Sequence, residues 1–183
     1  MDVISLYRDT GAYLEGHFLL ASGRHSEAFL QSTTLFQFPQ HVEAVGAALA
    51  ERFAGVRAAF VIGPAMGGVV LAHTVAKALG TRALFAEKDN RGQMMLRDAF
   101  EVVPGERFIA VEDVMTTGGS LKKAIAAAEV RGGVCVGVGC VIDRGLAEFS
   151  GGLEPRSLAR LDITTYPPDN CPLCDQNIPL EDV

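Results

Sequence analysis

The chain has 183 residues, 49% of them hydrophobic, enough to bury one real core. A net charge of -6 and a pI near 5.2 argue against a protein that coats nucleic acid, which needs a basic footprint to displace counterions. No apolar run approaches the roughly 18 residues of a bilayer span, and a start containing Asp2 and Asp9 lacks the basic-then-apolar pattern of a secretion signal, so a soluble, cytoplasmic protein is expected.

In chain order, residues 2–10 predict a short helix stopped by Gly11, and residues 17–20 and 28–31 predict short strands around Ser22-Gly23-Arg24. This opening reads as a small cap. From Pro39, which suits a first helical turn, Val42, Val45, Leu49 and Phe53 recur at helical spacing until Gly55. The apolar run 59–62 is a strand cut off by Gly63-Pro64, Gly67 to Leu79 is a helix closed by Gly80, and Arg82 to Ala86 is a short strand. A polar, charged loop follows. After Pro104-Gly105 come a strand over 107–112, a helix from Gly119 to Val130, and a strand over 134–142. Repeats, low-complexity tracts and polar linkers are absent, so one domain is expected. Apolar strands alternating with helices predict an α/β fold with a mostly parallel sheet covered on both faces. Its ligands bind at the carboxyl ends of the strands, which directs attention to the loops after Ile62, Ala86, Glu112 and Ile142.

The segment Phe108 to Ser120 carries the most chemistry. Glu112 and Asp113 end a strand, and Thr116, Thr117, Gly118, Gly119 and Ser120 open a helix. Glycines let the backbone curl round an anion, the helix start offers unpaired N–H groups, and the hydroxyls add donors. A Walker A loop would need lysine where Gly119 precedes Ser120, and no dinucleotide fingerprint opens a helix after a strand. Taken alone, Thr117 or Ser120 could simply cap a helix. Two adjacent carboxylates beside a phosphate nest favour a ligand with both a sugar diol and a phosphate.

The run Val111-Glu112-Asp113-Val114-Met115-Thr116-Thr117-Gly118-Gly119-Ser120 resembles the phosphoribosyl diphosphate (PRPP) motif of type I phosphoribosyltransferases. The resemblance implies the fold of that family: a mostly parallel sheet flanked by helices, with a small hood from about 1–35 plus the C-terminal segment over a core of about 39–165. It implies that Glu112 and Asp113 engage the ribose hydroxyls and that Thr116 to Ser120 hold the 5′-phosphate, with Val114 and Met115 among the further PRPP-binding residues. Gly63 to Gly68 is a tight turn by itself; its similarity to the family's pyrophosphate loop makes Ala65 and Met66 contacts of the diphosphate. The loop Glu87 to Asp98, a solvated hairpin if taken alone, matches the mobile loop that closes over the neighbouring subunit of a homodimer. Lys88 fits its lysine and Arg91 is a further cation, so Lys88, Glu112 and Asp113 form the implied catalytic set.

Gly16-His17-Phe18-Leu19-Leu20-Ala21-Ser22-Gly23-Arg24-His25-Ser26, running on to Phe29-Leu30, resembles the signature of orotate phosphoribosyltransferases. Asp143-Arg144 resembles the pair whose arginine holds the orotate carboxylate, a group that a guanidinium meets with two parallel hydrogen bonds. Taken alone, Arg144 would be a surface ion pair with Asp143. Phe29, Thr116 and Arg144 form the implied orotate site. Ala21 departs from the family's lysine and Leu30 from a second aromatic, while the Thr165 to Cys174 tail is similar to a shorter bacterial and archaeal branch. The implied activity is transfer of phosphoribose from PRPP to orotate in pyrimidine (UMP) biosynthesis, with Mg²⁺ carried by PRPP and bound by no protein side chain. The alternatives are salvage of another nucleobase, or a PRPP-sensing regulator of the same fold. No nucleic-acid or membrane partner is expected.

Of the four cysteines, Cys135 and Cys140 lie in the apolar run 134–142 and read as reduced core thiols. Cys171-Pro172-Leu173-Cys174 would be half a zinc site, but no second pair stands nearby in sequence. His17, His25, His41 and His73 show no ligand spacing, and His73 reads as part of a helix.

Overall fold

A computed structural model describes all 183 residues. The chain runs α1 (Val3–Asp9), β1 (Tyr13–Leu19), β2 (His25–Leu30), α2 (Ser32–Phe36), α3 (Pro39–Glu51), β3 (Phe60–Pro64), α4 (Gly67–Leu79) and β4 (Arg82–Lys88). It continues with β5 (Met94–Leu96), β6 (Arg107–Met115), α5 (Gly119–Glu129), β7 (Val134–Asp143), β8 (Arg156–Arg160), β9 (Thr165–Tyr166), α6 (Pro172–Asp175) and β10 (Glu181–Asp182). Local chemistry explains the boundaries. Asp2 is the cap of α1 rather than its first residue, accepting from the N–H groups of Ile4 and Ser5, and Pro39 opens α3 where no N–H is needed. Gly80 ends α4 in the left-handed region, at φ 67°.

Two sheets result. The larger has the order β5-β4-β3-β6-β7-β8; every pair is parallel except the β4/β5 hairpin. Alternate residues of its central strands feed opposite cores. Phe60, Ile62, Phe108 and Ala110 pack with Leu121, Ala124 and Ala128 of α5. Val61, Ile109 and Val111 pack on the other face with Val45 and Leu49 of α3 and Leu71 and Val75 of α4. Burial on both faces is why these strands read as unbroken apolar runs. Each large side chain so buried contributes roughly 1.5–3 kcal/mol.

The smaller sheet has the order β10-β1-β2-β9 and joins the two ends of the chain. It gathers the β1/β2 hairpin with segments beyond residue 160, so the cap is built from both termini. Several elements depart from the sequence expectations: the cap strands start at Tyr13 and His25 rather than at residues 17 and 28, and α2 follows them unannounced. β6 runs on to Met115, because Val114 and Met115 pair with Ile142 and Asp143; the two acids therefore sit inside a strand rather than at its end. β8 pairs with β7, although its alternation is blunted by arginines at both ends. Half of the charged loop is a hairpin, with Lys88 opposite Met94.

Candidate active site

The larger sheet directs β6 and β7 toward the smaller one, and a cleft of about 420 Å³ opens between them. Its walls include Asp113, Val114, Thr116 and Thr117 from the end of β6 and the turn after it, and Arg144 after β7. The β1/β2 hairpin contributes Ala21, Ser22, Arg24 and Phe29.

Glu112 and Asp113 are neighbours on one strand, so their side chains point to opposite faces. Neither belongs to any of the chain's ion pairs, which engage Lys77, Arg82, Arg97 and Arg131. Burial, then the charge of Asp113, pushes the Glu112 carboxyl up to about 8. Two acids are thus held with no cation to compensate them, an arrangement suited to accepting hydrogen bonds from a diol.

The turn after β6 is a cradle. Gly118 stands at φ 70°, and a Cβ there would lie 2.9 Å from the Phe149 ring, so a side chain is excluded by both conformation and space. Lys122 Nζ donates to the Thr117 carbonyl at 2.9 Å while its ammonium lies over the Phe149 ring. Lys122 and Phe149 brace the loop, a role with no local sequence signature.

The glycine turn after β3 meets the same acids. A Cβ on Gly67 would lie 2.8 Å from Oδ2 of Asp113, so the bare backbone at the start of α4 is what lets the carboxylate sit there. Ala65, whose N–H bonds the Ala86 carbonyl at 2.7 Å, and the exposed Met66 stand in this turn, which follows β3 at the same sheet edge.

Arg144 does not pair with Asp143. Asp143 Oδ1 accepts from the Gly145 N–H at 2.7 Å, and the half-buried Arg144 donates through Nη2 to the Ile163 carbonyl at 2.6 Å. Burial depresses its pKa, yet a guanidinium remains charged at any ordinary pH. A second cation, not singled out as a site residue from sequence, shares the cleft. Arg24 donates through Nε and Nη2 to the hydroxyl and carbonyl of Thr165, at 2.9 and 2.7 Å. Two guanidiniums without carboxylate ion-pair partners therefore share the cleft with one carboxylate outside any ion pair, that of Asp113.

Lys88 and Arg91 are exposed and lie outside these walls, in the β4/β5 hairpin. Its turn is fixed by Asp89 Oδ1, which accepts from the N–H groups of Arg91 and Gln93 at 2.8 Å each. Neither cation is in an ion pair, whereas Arg97 is held by Glu87. Glu112, Ala65 and Met66 also do not line the cleft itself.

The match to known proteins follows this geometry. Residues 31–149 match the model for the phosphoribosyl transferase domain. An orotate phosphoribosyltransferase of Thermus thermophilus is 58% identical over 183 residues, all of both chains. The chain belongs to the orotate phosphoribosyltransferase family. Among solved structures of the family, the Aeropyrum pernix enzyme superposes with a TM-score of 0.72 at 27% identity, covering 87% of this chain and 93% of that one. A Mycobacterium tuberculosis orotate phosphoribosyltransferase in complex with PRPP superposes with a TM-score of 0.60 at 28% identity, covering 72% and 80%. The fold is therefore the phosphoribosyltransferase α/β fold expected from the motif, and no helix is long and apolar enough to cross a membrane.

One sequence expectation is corrected outside the cleft. His17 and His25, which show no ligand spacing in the sequence, converge with Cys171 and Cys174, and the four ligand atoms lie within 4.8 Å of one another. Pairing of β1 with β2, and of β2 with β9 where His25 faces Tyr166, brings together residues from the two ends of the chain. His41 and His73 take no part; His73 is in α4 as expected. Cys135 and Cys140 are unpaired thiols on β7, the second fully buried.

Proposed function

We propose that the chain is an orotate phosphoribosyltransferase working in UMP synthesis, with its site in the cleft between the two sheets. The observation that carries this reading is the shared cleft: Asp113 and the Thr116-Thr117 turn on one wall, Arg144 on another. It fits a phosphorylated sugar and a carboxylated pyrimidine side by side. The PRPP complex of the Mycobacterium relative supports PRPP as the donor.

In this reading Glu112 and Asp113 accept from the ribose 2′ and 3′ hydroxyls, and Thr116 to Ser120, in the turn after Val114 and Met115, cradle the 5′-phosphate with backbone N–H groups and hydroxyls. Ala65 and Met66 present the turn beside Asp113 to the diphosphate. Arg144 receives the orotate carboxylate while Thr116 and Phe29 border the ring. Orotate N1 forms a bond to C1′ of the ribose, the bond from C1′ to the pyrophosphate oxygen breaks, and the N1 proton passes to solvent. Positive charge that develops on the ribose faces Asp113, the unpaired acid that lines the cleft, which favours the transition state without a protein nucleophile.

Magnesium enters as part of the PRPP substrate. The donor set fits this: the two acids are not joined by a third ligand, so no protein cage competes with phosphate oxygens and water, the ligands this ion prefers. Lys88 and Arg91, unpaired on an exposed hairpin, are suited to cross to the diphosphate of a second subunit, so a homodimer is part of the proposal. The whole chain is taken as one phosphoribosyltransferase domain, hood included, acting in the cytoplasm. The test is spectrophotometric: orotate absorbance is followed with PRPP and Mg²⁺, against uracil and purine bases as controls. Consumption of orotate alone supports the reading; turnover of another base, or PRPP binding without turnover, refutes it.

A further inference from the structure

We propose that His17, His25, Cys171 and Cys174 form a structural zinc site that staples the C-terminal segment to the β1/β2 hairpin. Four facts carry it.

The first is the spacing of the ligand atoms. Tetrahedral zinc with bonds of about 2.0–2.1 Å to nitrogen and about 2.3 Å to sulfur sets its ligands apart by roughly 3.3 Å for two nitrogens and roughly 3.6 Å for nitrogen and sulfur. Here His17 Nε2 lies 3.6 Å from Cys171 Sγ and 3.8 Å from Cys174 Sγ, and His25 Nδ1 lies 3.4 Å from Cys174 Sγ. The two nitrogens, 2.9 Å apart, must open slightly to admit the ion, and the whole set, within 4.8 Å, closes around it by small side-chain shifts.

The second is the tautomer. His17 Nδ1 lies 2.8 Å from the Ile178 carbonyl, which can only accept, so this nitrogen carries the proton. The lone pair of His17 is therefore on Nε2, aimed at the other three ligands. A carbonyl that fixes the ring in this way is the usual outer partner of a metal-bound imidazole.

The third is charge and softness. Two thiolates neutralise Zn²⁺ and the imidazoles are neutral, so the closed set adds no net charge where His17, His25 and Cys171 are buried. Four protein ligands leave no position for a substrate, which makes the site structural.

The fourth is the need for a staple. Among residues 164–183 only Cys171 is buried, and β9 and β10 have two residues each. So little apolar burial does not by itself hold such a segment in place, and small substructures commonly rely on a metal or a disulfide. The staple matters to the cleft, because Thr165 in β9 receives both hydrogen bonds of Arg24.

The test is independent of catalysis. The full-length protein is purified under reducing conditions without added metal or chelator, and its metal content is measured by plasma mass spectrometry. About one zinc per chain is expected, falling at least fivefold in a Cys171→Ser/Cys174→Ser variant. Wild-type protein stripped of metal and titrated with Co²⁺ should develop the visible bands of tetrahedral cobalt and a thiolate charge-transfer band, both abolished by equimolar Zn²⁺. Should the double variant fail to fold, Cys174→Ser alone is expected to weaken the charge-transfer band. Zinc content near zero with no cobalt bands in freshly reduced protein overturns the assignment. So does a Cys171–Cys174 disulfide that persists under reductant, or a charge-transfer band unchanged in Cys174→Ser.

Discussion

Replacing Glu112 by Gln removes the charge of a carboxyl held in a place hostile to it. Its pKa is raised from an ordinary 4.5 to about 8 by burial first and the Asp113 charge second. Between these values the folded chain holds a proton that the unfolded chain has released. Stability therefore falls as pH rises from about 4.5 to about 8 and is flat beyond, the reverse of a salt-bridged carboxylate. At ~1.36 kcal/mol per tenfold change in proton affinity, the full cost at pH 8 and above is at most roughly 5 kcal/mol. Water reaching the partly exposed carboxyl reduces this to roughly 1–3 kcal/mol. Glutamine has the same shape and no charge. Glu112→Gln should match the wild type near pH 5 and exceed it by roughly 2–12 °C in Tm at pH 8.5, taking about 2–4 °C per kcal/mol for a chain of this size. Differential scanning fluorimetry of both proteins without PRPP, across this range, is the assay. A Tm difference independent of pH, or one that shrinks as pH rises, refutes the account of Glu112 as a buried, uncompensated acid.

Arg144→Ala should raise the KM for orotate about 10- to 100-fold, the loss expected of charge-assisted hydrogen bonds worth roughly 1.5–3 kcal/mol. The KM for PRPP should be nearly unchanged, and equal losses for both substrates would remove Arg144 from the base site. Gly67→Ala puts a Cβ 2.8 Å from Oδ2 of Asp113 and should weaken PRPP binding, as read by calorimetry, while the fold survives; unaltered affinity would separate Asp113 from the sugar. Lys88→Ala should lower kcat by roughly 10²–10³ with little change in the melting temperature, the pattern of a lost electrostatic contact to the leaving group. An unaltered rate would mean that the hairpin is not catalytic.

Much of this protein could be read along the chain because its signals are local. Pro39, Gly80 and the paired apolar runs mark the ends and period of α3, α4 and the central strands, and the acids of β6 followed by a glycine-threonine turn announce a phosphate cradle. Periodicity and capping act within a few residues, so they survive in one dimension. The continuation of β6 to Met115 was hidden because its polar residues break the apolar pattern, and only pairing with β7 extends the strand.

What the tertiary structure alone decided lies in contacts between distant residues. Gly67 is an ordinary helix-opening glycine until Asp113 arrives beside it, and Arg24, in the cleft wall, finds its hydrogen-bond partner in Thr165, brought across by β9. The four ligands of the proposed zinc site come from the two ends of the chain. Neither Cys-x-x-Cys nor the two histidines is a site alone; the small sheet that joins the termini makes them one. Sequence fixes which chemistry each segment carries, since that depends on neighbours along the chain. Which chemistries meet depends on strand pairing across the whole fold, and no local pattern encodes that.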